Sequence, residues 1–97
     1  MALSTGKSSG KALLELAKTG EVTFVNAATG LVSSIQFVDG LNLIGAIEAA
    51  KLDPRFKAFE VVRLSGIIRV GADQLATLGR AKLKSGDVIR MVKLASN

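Results

Sequence analysis

The pattern of apolar and polar residues between 21 and 40 predicts a β-hairpin. Over 22–26, the side chains of Val22, Phe24 and Asn26 alternate with those of Thr23 and Val25, and a second strand is predicted over 31–37. The Ala-Thr-Gly sequence at 28–30 suits the turn between these strands, and an Asp-Gly pair at 39–40 ends the second one. One face of the second strand is expected to carry Leu31, Ser33, Ile35 and Phe37.

A helix is predicted to follow this hairpin, from Asn42 to about Leu52. Asn42 can cap the N-terminus of the helix with its side-chain oxygen. Asp53 and Pro54 stop the helix, because the residue before a proline avoids the α conformation. The helical periodicity predicts a buried side that contains Leu43, Ile44, Ile47 and Ala50.

Three more strands are predicted in the second half of the chain. Two short strands, 59–64 and 67–70, surround a Ser-Gly turn, and a last strand covers 88–94. Residues 71–82 are mixed in character, with a short helical turn expected around 73–78. Strands, one helix and further strands in this order predict an α+β fold with a single helix covering one face of the sheet. The first and last strands could lie side by side at its centre.

The first 20 residues are predicted to form an N-terminal arm, separate from a domain at 21–97. Residues 1–10 are small and polar, whereas residues 11–18 offer one or two helical turns that Gly20 could end. The apolar side of these turns contains Leu13, Leu14, Leu16 and Ala17. Such a short helix is marginal in water and needs a surface to lie on.

This surface is either a neighbouring subunit or the chain's own domain. In the first hypothesis the four apolar residues anchor the arm on a partner, and the lysines of the arm mainly affect the association rate. These lysines are Lys7, Lys11 and Lys18. In the second hypothesis Leu13 and Leu16 complete the core of the domain itself, because small domains need every apolar contact. The first hypothesis predicts that a chain without residues 1–20 folds but no longer docks.

The composition of the chain removes the usual catalytic side chains. The 97 residues contain neither cysteine nor histidine, which excludes disulfides, thiolate metal sites and histidine bases. The eight acidic residues are scattered along the sequence, and several lie at turns or helix ends, where capping explains them. We therefore predict no enzyme activity, no catalytic residue, no metal site and no cofactor.

The chain is basic, with a net charge of +5, and its arginines form a candidate basic patch. Arg63 and Arg90 are predicted on strands where their side chains could share a face, and Arg69 lies nearby in sequence. A solvated sheet face is the simplest explanation of this patch. Nucleic acid is a less favoured partner, because the chain has no Trp or Tyr on which bases could stack. An acidic protein partner stays open, and no membrane partner is predicted because no apolar run approaches a membrane span.

The segments at 39–43, 52–54, 61–68 and 83–92 together resemble the sulfur carriers of the β-grasp, or ubiquitin-like, superfamily that serve thiamin and molybdopterin synthesis. Asp-Gly-Leu-Asn-Leu at 39–43 and Leu-Asp-Pro at 52–54 resemble the helix region of these carriers. Val-Val-Arg-Leu-Ser-Gly-Ile-Ile at 61–68 resembles their strand-turn-strand, and Leu-Lys-Ser-Gly-Asp-Val-Ile-Arg-Met-Val at 83–92 resembles their closing turn and final strand. The resemblance spans roughly 21–94. It implies a mixed sheet of four to five strands covered by one helix.

The resemblance does not extend to the chemistry of the carriers. They act through a C-terminal diglycine, whereas this sequence ends Leu-Ala-Ser-Asn without a Gly-Gly pair. We therefore expect a non-catalytic structural or protein-interaction module of a larger, oligomeric assembly. A virion cement protein or another phage structural protein is the concrete form of this expectation, with a cytoplasmic or virion location. The alternative is a sulfur-carrier or ubiquitin-like modifier protein of cofactor biosynthesis.

Overall fold

The computed structural model describes residues 13–52 and 56–92, and this part of the chain forms an α+β fold. It contains five strands and two helices, with a short 3-10 turn at Ala72–Gln74 before the second helix. In chain order the elements are β1 (Glu21–Asn26), β2 (Val32–Gln36), α1 (Leu43–Ala50), β3 (Ala58–Arg63), β4 (Gly66–Gly71), α2 (Leu75–Leu78) and β5 (Val88–Val92). The predicted fold class is confirmed.

The five strands form one mixed sheet in the order β2-β1-β5-β3-β4. The β1–β5 pair is parallel, and the β1–β2, β3–β5 and β3–β4 pairs are antiparallel. The first and last strands therefore lie side by side, as the sequence suggested. Strand β5 occupies the centre of the sheet, whereas β2 and β4 are its edges.

Helix α1 covers one face of this sheet, which we call the helix face. Asn42 caps the helix as predicted, since its Oδ1 accepts a hydrogen bond of 2.8 Å from the Gly45 amide. The helix ends at Ala50, and Lys51 follows in the left-handed conformation with φ 53°. The predicted stop at Asp53 and Pro54 lies outside the described residues. The core of the helix face includes Val22, Phe24, Leu43, Ala46, Phe59, Val61, Ile89 and Met91.

The prediction of a single helix is wrong, because α2 forms a second one. The Gln74 side chain accepts a hydrogen bond of 2.9 Å from the Gly71 amide and so holds the turn that leads into α2. At the other end of α2, the Gly79 carbonyl accepts a bond of 3.1 Å from the Ile44 amide of α1. The segment after β4 is therefore held against the start of α1, and Leu75 packs against the core.

The predicted face of the second strand is correct only in its second half. Ile35 and Phe37 pack against the core, but Ser33 is exposed and Leu31 is 71% exposed. Leu31 precedes β2 and belongs to the turn of the hairpin, where its carbonyl accepts from the Asn26 amide. The predicted face therefore extends beyond the part of the strand that α1 covers.

The opposite face of the sheet, which we call the second face, is partly covered by the start of the described chain. Leu13 and Leu14 are helical, and amide-to-carbonyl bonds of 2.9 and 3.1 Å continue this turn to Leu16 and Ala17. Leu13 is only 9% exposed and forms a small core with Val25, Val62 and Val88, against which Leu14 and Leu16 also pack. The sheet thus has an apolar layer on both faces.

Candidate protein-interaction site

An ion pair fixes one end of the sheet, where the turn before β5 meets the end of β3. Asp87 is buried and accepts bonds of 2.9 Å from Arg63 Nε and 2.8 Å from Arg63 Nη2. The same carboxylate accepts a bond of 2.8 Å from the Lys84 amide, and the Asp87 amide donates to the Lys84 carbonyl at 3.0 Å. The hydrogen bond to Asp87 raises the pKa of the Arg63 guanidinium, so the guanidinium stays charged at neutral pH.

A groove of about 510 Å³ opens beside this ion pair. Its apolar wall comes from the helical turn at the start of the described chain and from β3. Its polar wall is the turn before β5. The residues that line the groove include Leu14, Ala17, Val62, Leu64, Lys84 and Ser85.

The β3–β4 hairpin exposes three large aliphatic side chains next to this groove. Leu64 is 94% exposed at the turn of the hairpin, Ile67 is 57% exposed and Ile68 is 47% exposed. We call Leu64, Ile67 and Ile68 the hairpin surface. By the alternation of β4, Ile67 lies on the second face opposite Val62, whereas Ile68 lies on the helix face opposite Val61. The hairpin tip is therefore apolar on both sides, which is a costly surface for a chain to leave in water.

The sequence reasoning did not identify the hairpin surface. Its signal was present as three aliphatic residues within Leu-Ser-Gly-Ile-Ile at 64–68. The prediction places Leu64 at the end of one strand and Ile67 and Ile68 in the next. Which strand lies at an edge depends on the order of the strands in space, and the periodicity of a sequence does not contain that order.

Among the arm residues that the structure describes, the three leucines contact the chain's own sheet. Leu13 is buried there, Leu14 and Leu16 are partly buried, and Ala17 and Lys18 are exposed. Lys7 and Lys11 lie outside the described residues. This packing favours the second of the two hypotheses for the arm, in which its leucines complete the core of the domain. Binding of a partner by these residues stays a prediction.

The three arginines of the candidate basic patch do not come together. Arg63 shares the pleat of Phe59 and Val61 and points to the helix face, whereas Arg90 shares the pleat of Val88 on the second face. The expectation that Arg63 and Arg90 share a face is therefore wrong.

Arg69 and Arg90 instead meet at one carboxylate on the second face. Glu60 accepts from Arg90 at 2.8 Å through Oε1 and from Arg69 at 3.1 Å through Oε2. Two guanidinium groups thus share a single negative charge, which leaves a net positive charge on this part of the face. Arg69 is the more exposed of the two arginines.

Among residues 13–52 and 56–92, no cluster of three His, Cys, Asp or Glu side chains could hold a metal ion. Within the same residues, no helix has the length and apolar character needed to cross a membrane. Comparisons with models of protein families, with curated proteins and with solved structures found no match to this chain.

Proposed function

We propose that this chain is a non-catalytic protein-interaction module of a larger assembly, and that its fold is of the β-grasp type. The strand order, with β1 and β5 parallel and neighbouring, supports this fold together with the position of α1 after the first hairpin. Helix α2 is an addition to the single helix that the resemblance implies.

The observation that carries the proposed function is the hairpin surface. Surface leucines occur singly in most proteins and need no explanation. Here three large aliphatic side chains project from one hairpin, and an apolar groove adjoins them through Leu64. Apolar side chains exposed together on one hairpin at the edge of a sheet favour a site of interaction with another protein.

A pair of matched substitutions tests this proposal. In an extract of the native source, we expect the chain to elute from a sizing column with a larger complex. Leu64→Asp should release it as a monomer, because a carboxylate placed in an apolar interface loses its hydration without a partner. Leu31→Asp is the control, since Leu31 is also an exposed leucine, at 71%, but lies on the β1–β2 hairpin at the other edge of the sheet.

Two results would contradict the proposal. One is elution of the unaltered chain as a monomer, and the other is an equal effect of the two substitutions. The identity of the assembly as a virion shell or tail stays a prediction. Co-sedimentation of the chain with purified particles would test it.

A further inference from the structure

The outer side of β4 offers backbone hydrogen-bonding groups as well as apolar side chains. In the described part of the chain, β4 pairs with β3 on one side and with no strand on the other. The Ala72 amide donates to the Lys57 carbonyl of the β3 side at 2.8 Å. Because antiparallel pairing alternates, the amides of Val70 and Ile68 also face β3, and those of Gly71, Arg69 and Ile67 face outward.

Among the outward amides of β4, the one at Gly71 forms a hydrogen bond within the described chain. The Gly71 amide donates to Gln74 Oε1, which confirms the outward direction of that group. The amides and carbonyls of Ile67 and Arg69 are left along the open edge. The side chains beside them are apolar at Ile67 and Ile68, with one charge at Arg69. Edges that proteins protect from pairing usually carry several charges, a proline or a bulge.

The side chains around β4 set the chemistry of a strand that could pair there. On the helix face, a cavity of about 40 Å³ lies between β4 and α2, and its lining includes Ile68, Leu78 and Lys82. On the second face, Ile67 is followed by Arg69, which shares Glu60 with Arg90. An added strand would therefore meet apolar surface near the hairpin tip and a positive charge on each face.

We propose that the β4 edge binds an extended acidic and apolar peptide segment of a partner protein as a sixth strand. The segment places aliphatic side chains opposite Ile67 and Ile68 and carboxylates near Arg69 and Lys82. Backbone hydrogen bonds hold the strand, and the side chains select it, as in other cases of strand addition. This inference rests on the proposed function and specifies how the hairpin surface is used.

Charge argues for such a partner rather than for a second copy of this chain. Each copy carries a net charge of +5, and pairing of two β4 strands would bring the arginines of both copies together. The β2 edge is a weaker candidate, because Val32 is exposed there but Ser33, Ser34 and Gln36 give the rest of the strand a polar character.

Three synthetic octapeptides of Val and Ile test the proposal with the full-length chain. They contain a pair of adjacent Glu, Gln or Lys residues, which project to the two faces of a strand, and are otherwise identical. In NMR titrations of the labelled chain, we expect the Glu peptide to shift the Ile67 and Arg69 amides and to slow their exchange with solvent. It should bind about tenfold more tightly than the Lys peptide at low salt, and the difference should shrink at high salt.

A proline substitution separates strand pairing from simple apolar contact. Ile67→Pro removes an outward amide that β3 does not use, which an edge strand tolerates. It should abolish binding of the Glu peptide, whereas Ile67→Thr keeps the amide and should weaken binding only partly. Unchanged β5 amide signals would show that both variants are folded.

The inference is overturned if none of the peptides binds, if the Lys peptide binds as tightly as the Glu peptide, or if the shifts appear on β2. A dimer of the free chain that pairs through β4 would also overturn it. If these peptide tests fail while Leu64→Asp still releases the chain from its complex, the proposed function stands without strand addition.

Discussion

At the scale of single residues, Asp87 contributes more to the stability of the fold than its place in a turn suggests. Its carboxylate joins the turn before β5 to the end of β3, and it accepts three hydrogen bonds while almost fully buried. Few acidic residues lie so deep in a protein unless they are paired. The Gly-Asp turn before β5 thus closes the sheet through a side chain as well as through backbone bonds.

We expect Asp87→Asn to lower the free energy of unfolding by about 1.5–3 kcal/mol, the usual worth of hydrogen bonds to a charged group. Urea unfolding followed by circular dichroism would measure the change. Glu60→Gln is the matched control, because Glu60 also holds arginines, but in a more exposed pair that should contribute less than about 1 kcal/mol.

Equal losses for the two variants would show that burial does not strengthen the Asp87 pair. The raised pKa of Arg63 does not make the stability of the fold depend on pH near neutrality. Stability from a raised pKa is present at low pH and is lost only when the pH rises far enough to deprotonate the guanidinium.

At the scale of elements, the helical turn around Leu13 belongs to the fold. We expect Leu13→Ala to lower the free energy of unfolding by about 2–3 kcal/mol, near the low end for a buried leucine because the site lies close to the surface. Ala17→Ser is the control on the same turn, and as a change at an exposed residue it should alter stability by less than about 0.5 kcal/mol.

If Leu13→Ala unfolds at the same urea concentration as the unaltered chain, the turn does not support the sheet. That result would favour the hypothesis in which the arm docks on a partner. A loss of the expected size predicts instead that removal of residues 1–20 damages the domain.

The sequence predicted those elements whose signals are local. The strands β1 and β3 and the cap at Asn42 depend on neighbouring residues, and the structure confirms them, although both faces of β1 are buried. The expected helical turn around 73–78 is also present, as the 3-10 turn and α2, but its packing against α1 depends on distant contacts. A Cβ added at Gly79 would lie 2.7 Å from Ile44 Cγ1, so this residue must be small to let α2 reach α1. The sequence did not predict the hairpin surface for the same reason, because exposure of the β3–β4 hairpin follows from the order of the strands in space.

At the scale of the whole molecule, two apolar layers share one sheet. The core of the helix face includes Phe24 and Ile89, and the core of the second face includes Val25 and Val88, which are their neighbours on the same strands. A disturbance of either layer therefore acts on β1 and β5 together. The hairpin surface lies outside both layers, so its substitution should leave the fold intact and change only binding.

The strand order predicts a gradient of hydrogen exchange across the sheet. Every amide of β5 faces β1 or β3, so Ile89 and Met91 should exchange only when the sheet opens as a whole. On β4 the amides should alternate, with Ile68 and Val70 protected by β3 and Ile67 and Arg69 open to solvent. Residue-resolved exchange by NMR on the free chain would measure this. Slow exchange at Ile67 and Arg69 in a monomer would show that their amides are already bonded, and would remove the open edge on which strand addition depends.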